Sequence, residues 1–430
     1  VNAVDETVAS NPERSAGAQR PPFGESAESQ ALAPGSSIDT WLLTRLRSFL
    51  GDPPLEFAVR DRALVGPSDV PAVARVTFAN RRTLMTILSD PPLRFGDAYS
   101  EGTVAIDGDL VSLLESIYRS GVAAGKTDSF LRRARGALRR PRRNTLSGSR
   151  DNIHHHYDIG NEFYSLWLGS TMAYTCAYYP SPTAGLDEAQ VAKMDHVSRK
   201  LRLRSGETVV EAGCGWGTLA MHMARNYGVR VRAFNISREQ VAFARERAAR
   251  EGLAGQVEYV LDDYRNISGH YDAFVSVGML EHVGVANYAA LGDVARRALN
   301  GRGRGLIHTI GRNHPAPLQP WIEKRIFPGA YPPSLSQMMG IFEPWNLSVL
   351  DVENLRLHYA QTLRDWLALY ESASEKVRRM FDERFVRMWR LYLAGSVAAF
   401  TTGTLQLFQV LFAPGESNDV PLTRAHLYTR

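Results

Sequence analysis

The strongest constraint on how this chain can fold is an alternation of strand-like and helix-like patterns running from residue 207 toward the C-terminus. ETVVEAG, VRVRAFN, VEYVLDD, YDAFVSVG and GRGLIHTIG are short β-rich runs. Between the first three lie GTLAMHMARNYG and SREQVAFARERAAREG, with apolar residues at helical spacing. A chain that returns through a helix after each strand builds parallel pairs, and a parallel sheet needs helices on both faces. The pattern predicts an α/β region over 152–430. LSVLDVE and TLQLFQVLF follow as strands of an added antiparallel edge.

The turn after the first strand carries the strongest local signal. Glu211-Ala212-Gly213-Cys214-Gly215-Trp216-Gly217 leaves an apolar strand and opens a helix. Three alternate glycines let the backbone turn tightly and approach a ligand, at the strand ends where open α/β sheets bind. The spacing G-x-G-x-G is not the dinucleotide fingerprint, and no G-K-[ST] follows, so NAD and ATP fit poorly. An acid before the turn, without a phosphate cradle, suits the cationic amino-acid end of S-adenosylmethionine (SAM).

The rest of the chain divides by composition. Residues 1–36 are rich in Ala, Ser, Pro, Gly and Glu and read as a disordered tail. The opening VNAVDETVAS has no signal-peptide pattern. Residues 37–123 read as a small α+β docking unit: FAVRD and ARVTF as strands, NRRTLMTILSD and LVSLLESIYRS as helices. Ser37 is placed as the cap of a first helix whose stripe is Trp41, Leu42, Leu46, Phe49 and Leu50. Residues 124–151 form a basic linker with Arg132, Arg133, Arg135, Arg139, Arg140, Arg142, Arg143 and Arg150. Such a run is attracted to anionic headgroups by about 1 kcal/mol per basic residue near the surface. No aromatics interleave with it, which argues against nucleic acid as a partner. Leu391–Phe412 is uncharged, but its polar residues and the TTGT break predict a helix end and a strand rather than a membrane span. Cys176 and Cys214 are the chain's two cysteines. They cannot make a disulfide framework or a Cys-rich zinc site, and a cytoplasmic setting fits them.

Several segments together carry a family likeness. VEAGCGWG, SVGMLEHVG, LIHTIG and IFPGAYPPSL occur in order, preceded by HHYDIGNEFYSLWLGSTMAYTCAYY and followed by LHYAQTLRDW. With them the chain resembles the cyclopropane-fatty-acid and mycolic-acid cyclopropane synthases through 152–412. PPLRFGDAYSEGTVAIDGDLVSLL is more weakly similar to that family's N-terminal lipid-binding domain. The resemblance implies a class I SAM-dependent methyltransferase fold: a Rossmann-like, mostly parallel seven-stranded sheet with a smaller N-terminal α+β domain. It implies methyl(ene) transfer from SAM to the cis double bond of an unsaturated phospholipid acyl chain. The alkene attacks the sulfonium methyl, and a base then takes a proton from the added carbon so that a cyclopropane ring closes. Methyl transfer without closure, giving a methylene or methyl branch, is the alternative that the same residues would serve.

The resemblance also implies site residues. A bicarbonate ion as base would be held by Glu281, His308 and Tyr359, with backbone groups of Cys176 and Ile310. SAM would be held by Tyr174, Thr175, Glu211, Gly213, Gly215, Trp216, Gly217, Asn235, Ile236, Ser237, Gln240, Asp263, Tyr264 and Val277. No metal site is expected. Asn235 stands where the family usually has Thr, and Glu211 where it has Asp. Trp167, Phe327, Trp366, Phe400 and Phe408 are candidates both for the core and for an acyl tunnel. The implied partners are the phospholipid, an anionic membrane surface on whose inner face the protein sits peripherally, and a second copy in a homodimer.

Overall fold

The structure is a computed structural model that describes residues 37–60, 63–123 and 159–428. The expected tail and the basic linker lie outside the described residues. The N-terminal unit holds a four-stranded sheet of β1 (Leu55–Val59), β2 (Ala63–Val65), β3 (Ala74–Phe78) and β4 (Val104–Asp107), in the order β2-β1-β3-β4. β1 and β3 are parallel, and the other neighbours antiparallel.

Two details of this unit differ from expectation. The first helix, Ser37–Phe49, includes Ser37 and buries Asp39, Leu42, Leu43 and Leu46. Trp41 and Phe49 remain 59% and 47% exposed. Asp39 sets the face: it is fully buried and takes a two-point ion pair from Arg81, with Nε to Oδ1 at 2.5 Å. The spacing Asp39, Leu42, Leu43, Leu46 is a helical stripe with a carboxylate at its head. GDAYSEGTVAIDGD reads from its alternation as a strand between glycine turns, but its first residues close the helix Pro91–Ser100, opened by proline at its first position, and the strand is only Val104–Asp107.

The large sheet has seven strands. They are β5 (Thr208–Ala212), β6 (Arg230–Asn235), β7 (Val257–Leu261), β8 (Tyr271–Val277), β9 (Leu299–Gly311), β10 (Leu347–Asn354) and β11 (Gln406–Pro414). Their order is β10-β11-β9-β8-β5-β6-β7. β5 to β9 pair in parallel, and β11 is inserted antiparallel between β9 and β10. This is the mostly parallel, seven-stranded α/β sheet that the resemblance implied. The chain leaves β5 for β6 on one side and returns as β8 on the other, so a crevice opens beyond the C-terminal ends of β5 and β8.

The uncharged stretch near the C-terminus behaves as predicted. Helix Glu383–Thr401 ends before Gly403, whose φ is +80°, and β11 follows. Among the described residues no helix is long and apolar enough to cross a membrane.

The two sheets share a core. One buried cluster runs from Leu43, Phe57 and Phe78 to Trp167, Trp366 and Trp389. Helix Glu383–Thr401 joins them, packing on Pro91–Ser100 and Leu110–Ala123 on one side and on Arg356–Ser372 on the other. Arg387 on that helix donates to the carbonyls of Tyr99 (2.6 Å) and Val104 (2.8 Å) and lies 4.3 Å over the Tyr99 ring. Arg325 grips Asp97 with two hydrogen bonds at 2.9 and 3.0 Å.

Candidate active site

The crevice beyond β5 and β8 is lined by backbone made accessible by glycine. Gly213, Gly215 and Gly217 have φ of +84°, +52° and +81°, a region that side chains with a Cβ avoid. The Gly213 and Cys214 amides donate to the Phe234 carbonyl at 2.9 and 3.1 Å, which folds the turn back over β6. Gly278, just after β8, is also left-handed, and a Cβ there would lie 2.9 Å from the Thr175 methyl group. The turn after β5, the turn after β8 and the 174–176 segment therefore meet.

Two buried side chains that the sequence reading did not single out hold that segment. Gln190 Nε2 donates to the Thr175 carbonyl at 2.9 Å, and Lys193 Nζ donates to Thr175 Oγ1 at 2.9 Å. Both come from helix Leu186–Lys200 and are at most 2% exposed. The signal was present: Gln190 and Lys193 share the buried stripe of Ala189, Met194 and Val197, where a solvated lysine has no place. Lys193 and Glu211 feel each other's charge. Burial pushes the lysine down and the carboxyl up, and each opposes the other's shift.

The other expected SAM residues are distributed unevenly. Trp216 donates its indole N–H to Asn161 at 2.7 Å and packs on Tyr164 with ring centres 5.0 Å apart. Asn235 donates to the Gly215 carbonyl (3.1 Å) and to Gln240 Oε1 (2.8 Å), and accepts from the Ser237 amide (3.1 Å). Asn235 thus ties the end of β6 to the glycine turn, with Ser237 capping the next helix. Ile236 follows in that same connection. Asp263 is paired with Arg265 at 2.8 and 2.9 Å, and Arg265 in turn lies over Tyr264. Val277 ends β8, opposite His308.

Four of the five residues of the expected anion pocket are linked, partly through the backbone of Leu407 and Leu355, and the fifth, His308, neighbours them on β9. Glu281, in the turn Leu280–His282, accepts from the Ile310 amide at 2.6 Å. Ile310 pairs with Leu407, whose carbonyl receives the Leu355 amide at 2.9 Å. The Leu355 carbonyl takes the Tyr359 amide at 3.2 Å and lies 3.9 Å from Cys176 Sγ. His308 is two residues before Ile310 on the same face of β9. Glu281 Oε2 and His308 Nε2 are both buried without a hydrogen-bond partner among the described residues. Burial raises Glu281 to about 7 against the hydrogen bond from Ile310, and it drives His308 well below its ordinary range, with Lys193 and Lys200 adding to the effect. Near neutral pH the site thus holds an imidazole without charge and a carboxyl that burial makes easy to protonate, both able to meet a small oxyanion. The Ile310 amide is already committed to Glu281, so its part is to orient that carboxyl. The Cys176 thiol is fully buried and pushed far up by burial, which removes it as a nucleophile.

Aromatic rings close the pocket on one side. Tyr359 packs against Phe400 (4.6 Å between centres) and Trp366 (6.0 Å). Trp167 meets Tyr174 (5.2 Å) and Trp366 (5.7 Å), and the Tyr174 and Tyr392 hydroxyls are 2.8 Å apart. Phe327 packs on Tyr392 at 5.5 Å. Phe408 is the exception among the expected tunnel residues: strand alternation turns it to the opposite face, into the cluster of Phe274 and Phe412.

Comparison with known proteins agrees with this fold. Residues 145–410 match the family described as mycolic acid cyclopropane synthetase, and 60–134 match a domain of unknown function (DUF7884). A cyclopropane-fatty-acyl-phospholipid synthase of Escherichia coli is 35% identical over 360 residues, 82% of this chain and 91% of that protein. A probable fatty acid methyltransferase of Pseudomonas putida is 41% identical over 288 residues, 64% of this chain and 73% of the relative. Among solved structures, mycolic acid cyclopropane synthase CmaA1 complexed with SAH and CTAB aligns with a TM-score of 0.59 and 29% identity, covering 61% of this chain and 97% of that one.

Proposed function

The chain belongs to the mycolic acid cyclopropane synthetase family, and from that premise we propose that it closes a cyclopropane ring on the cis double bond of an unsaturated phospholipid acyl chain, with bicarbonate as the base. It is a SAM-dependent methyltransferase. SAM, when bound, supplies an electrophilic methyl carbon on a sulfonium sulfur. Bicarbonate, when bound, supplies a base that is a weak nucleophile. The chain's own residues do the rest. The turn Gly213–Gly217 and Gly278 bring backbone close to the cofactor, and Gln190 and Lys193 fix Thr175 beside it. Glu281 and His308 would hold the anion, with Tyr359 packed beside them. The rings of Trp167, Tyr174, Trp366 and Phe400 keep out water, which would otherwise trap a cation formed on the acyl chain.

The observation that supports this reading best is that Glu281 Oε2 and His308 Nε2, near the glycine-lined crevice, are buried and without a partner among the described residues. Each is costly unless something polar meets it. A second reading, methyl transfer without ring closure, is supported by the name of the Pseudomonas putida relative. Incubating the protein with labelled SAM and vesicles of unsaturated phospholipid, followed by mass spectrometry, separates them. Ring closure adds a CH2 and removes the double bond, whereas a methylene product keeps one unsaturation. Failure to label any lipid would overturn both. The proposal extends to location: the run from Arg132 to Arg143 would hold the protein on an anionic inner membrane face. A homodimer rests on the resemblance alone.

A further inference from the structure

Gln409 takes no part in the reading above, yet it occupies the position that decides what His308 can do. It lies on β11 directly opposite His308 in the antiparallel register, so the two side chains stand next to each other on one face of the sheet. Gln409 is 0% and His308 1% exposed. Gln409 Nε2 is 3.0 Å from His308 Nδ1, while His308 Nε2 and Gln409 Oε1 are buried with no hydrogen-bond partner among the described residues.

A neutral imidazole has one N–H and one lone pair, and the hydrogen bond at one nitrogen sets the state of the other. An amide nitrogen can only donate. With the amide nitrogen turned to Nδ1, the lone pair belongs there and the proton on Nε2. Glu353, which faces Gln409 across the other edge of β11, does not compete for the amide. Its carboxylate is already held by His196 (2.7 Å) and Lys200 (2.6 Å). Burial and the two lysines keep His308 from taking a second proton.

We propose that Gln409 is a positioning residue that locks His308 as the Nε2–H tautomer, so that His308 presents a hydrogen-bond donor to the anion pocket and does not itself act as the base. The proposal rests on the anion-pocket reading of Glu281 and His308 and sharpens it. Without a lone pair at Nε2, His308 can grip an oxyanion but cannot accept a proton from the substrate side. The base must then be the bound anion.

The test uses the full chain with 15N-labelled histidine, the His308 signals being assigned by their loss in His308→Asn. The wild type should show a protonated Nε2 and a lone-pair Nδ1. Gln409→Glu offers Nδ1 an acceptor in place of the donor. It should move the proton to Nδ1, and turnover should fall about tenfold or more, the lower end for removing a group that orients a working imidazole. Gln409→Met keeps the volume without the donor and should lose the single tautomer. Tautomer readings are made without lipid, so they remain decisive even if no lipid is methylated and the functional reading fails. A wild-type proton on Nδ1, or an unchanged tautomer and turnover in both variants, would overturn the role given to Gln409.

Discussion

At the scale of single residues, the site works by keeping groups from charging. Glu281 is the clearest case: its pKa is raised from 4.5 to about 7 by burial. A carboxyl raised in this way adds stability that is fully present below its unfolded pKa and is lost as the pH rises through the folded one. The thermal midpoint of the wild type should therefore fall relative to that of Glu281→Gln between pH 4.5 and about 7, then run parallel above it. Scanning calorimetry across that range checks this, and parallel curves throughout would mean that the carboxyl is not held neutral. The same variant should lose turnover by roughly a hundredfold or more, the low end for a positioned acid–base group. Its SAM affinity by titration calorimetry should stay near the wild-type value, because Glu281 meets Ile310 and not the glycine turn.

At the scale of elements, the glycine turn and its neighbours explain which parts of the site were legible. Gly217 opens helix Thr218–Tyr227 at φ +81°, and a Cβ there would run into the Tyr259 ring and hydroxyl. Gly217→Ala should cost about 1–2 kcal/mol from the left-handed backbone alone and more from that contact. A drop in both midpoint and SAM affinity is the expected result, and an unaffected midpoint would show that the turn can relax. Such a turn is legible in sequence because its chemistry is local: the glycines, the strand before and the helix after are adjacent in the chain. Glu281, His308, Ile310, Tyr359 and Cys176 were singled out for another reason, the family motifs that they match in type and order. Gln190, Lys193 and Gln409 were not, since each sits in an apolar stripe and gains meaning only from a partner on a different element. Trp41 and Phe49 misled for the converse reason: apolar spacing alone could not reveal that Asp39, paired with Arg81 from 42 residues away, decides which face turns inward.

At the scale of the whole molecule, the N-terminal unit is packed against the catalytic sheet through helix Glu383–Thr401. Arg387→Ala removes two hydrogen bonds and a ring contact there. It should weaken the junction by about 2 kcal/mol, the scale of a hydrogen bond to a charged group. Amide exchange should then quicken in Pro91–Ser100 before it does in β5 or β8. Equal protection in both regions would place the strength of the junction in the apolar contacts alone. Replacing the arginines from Arg132 to Arg143 with glutamine should weaken binding to anionic vesicles, most at low salt. Unchanged binding would leave the basic segment as a linker only.

The shared core also bears on how such a chain can be recombined. A boundary drawn through 124–151 looks modular, as though a different N-terminal piece could be spliced in front of the same catalytic half. The surfaces that meet, however, are written on both sides of that boundary: Tyr99 and Val104 before it, Arg387 and Trp389 far beyond it. A hybrid that exchanges the first part alone inherits half of a fitted pair. A working graft should therefore exchange helix Glu383–Thr401 together with the N-terminal unit it packs on.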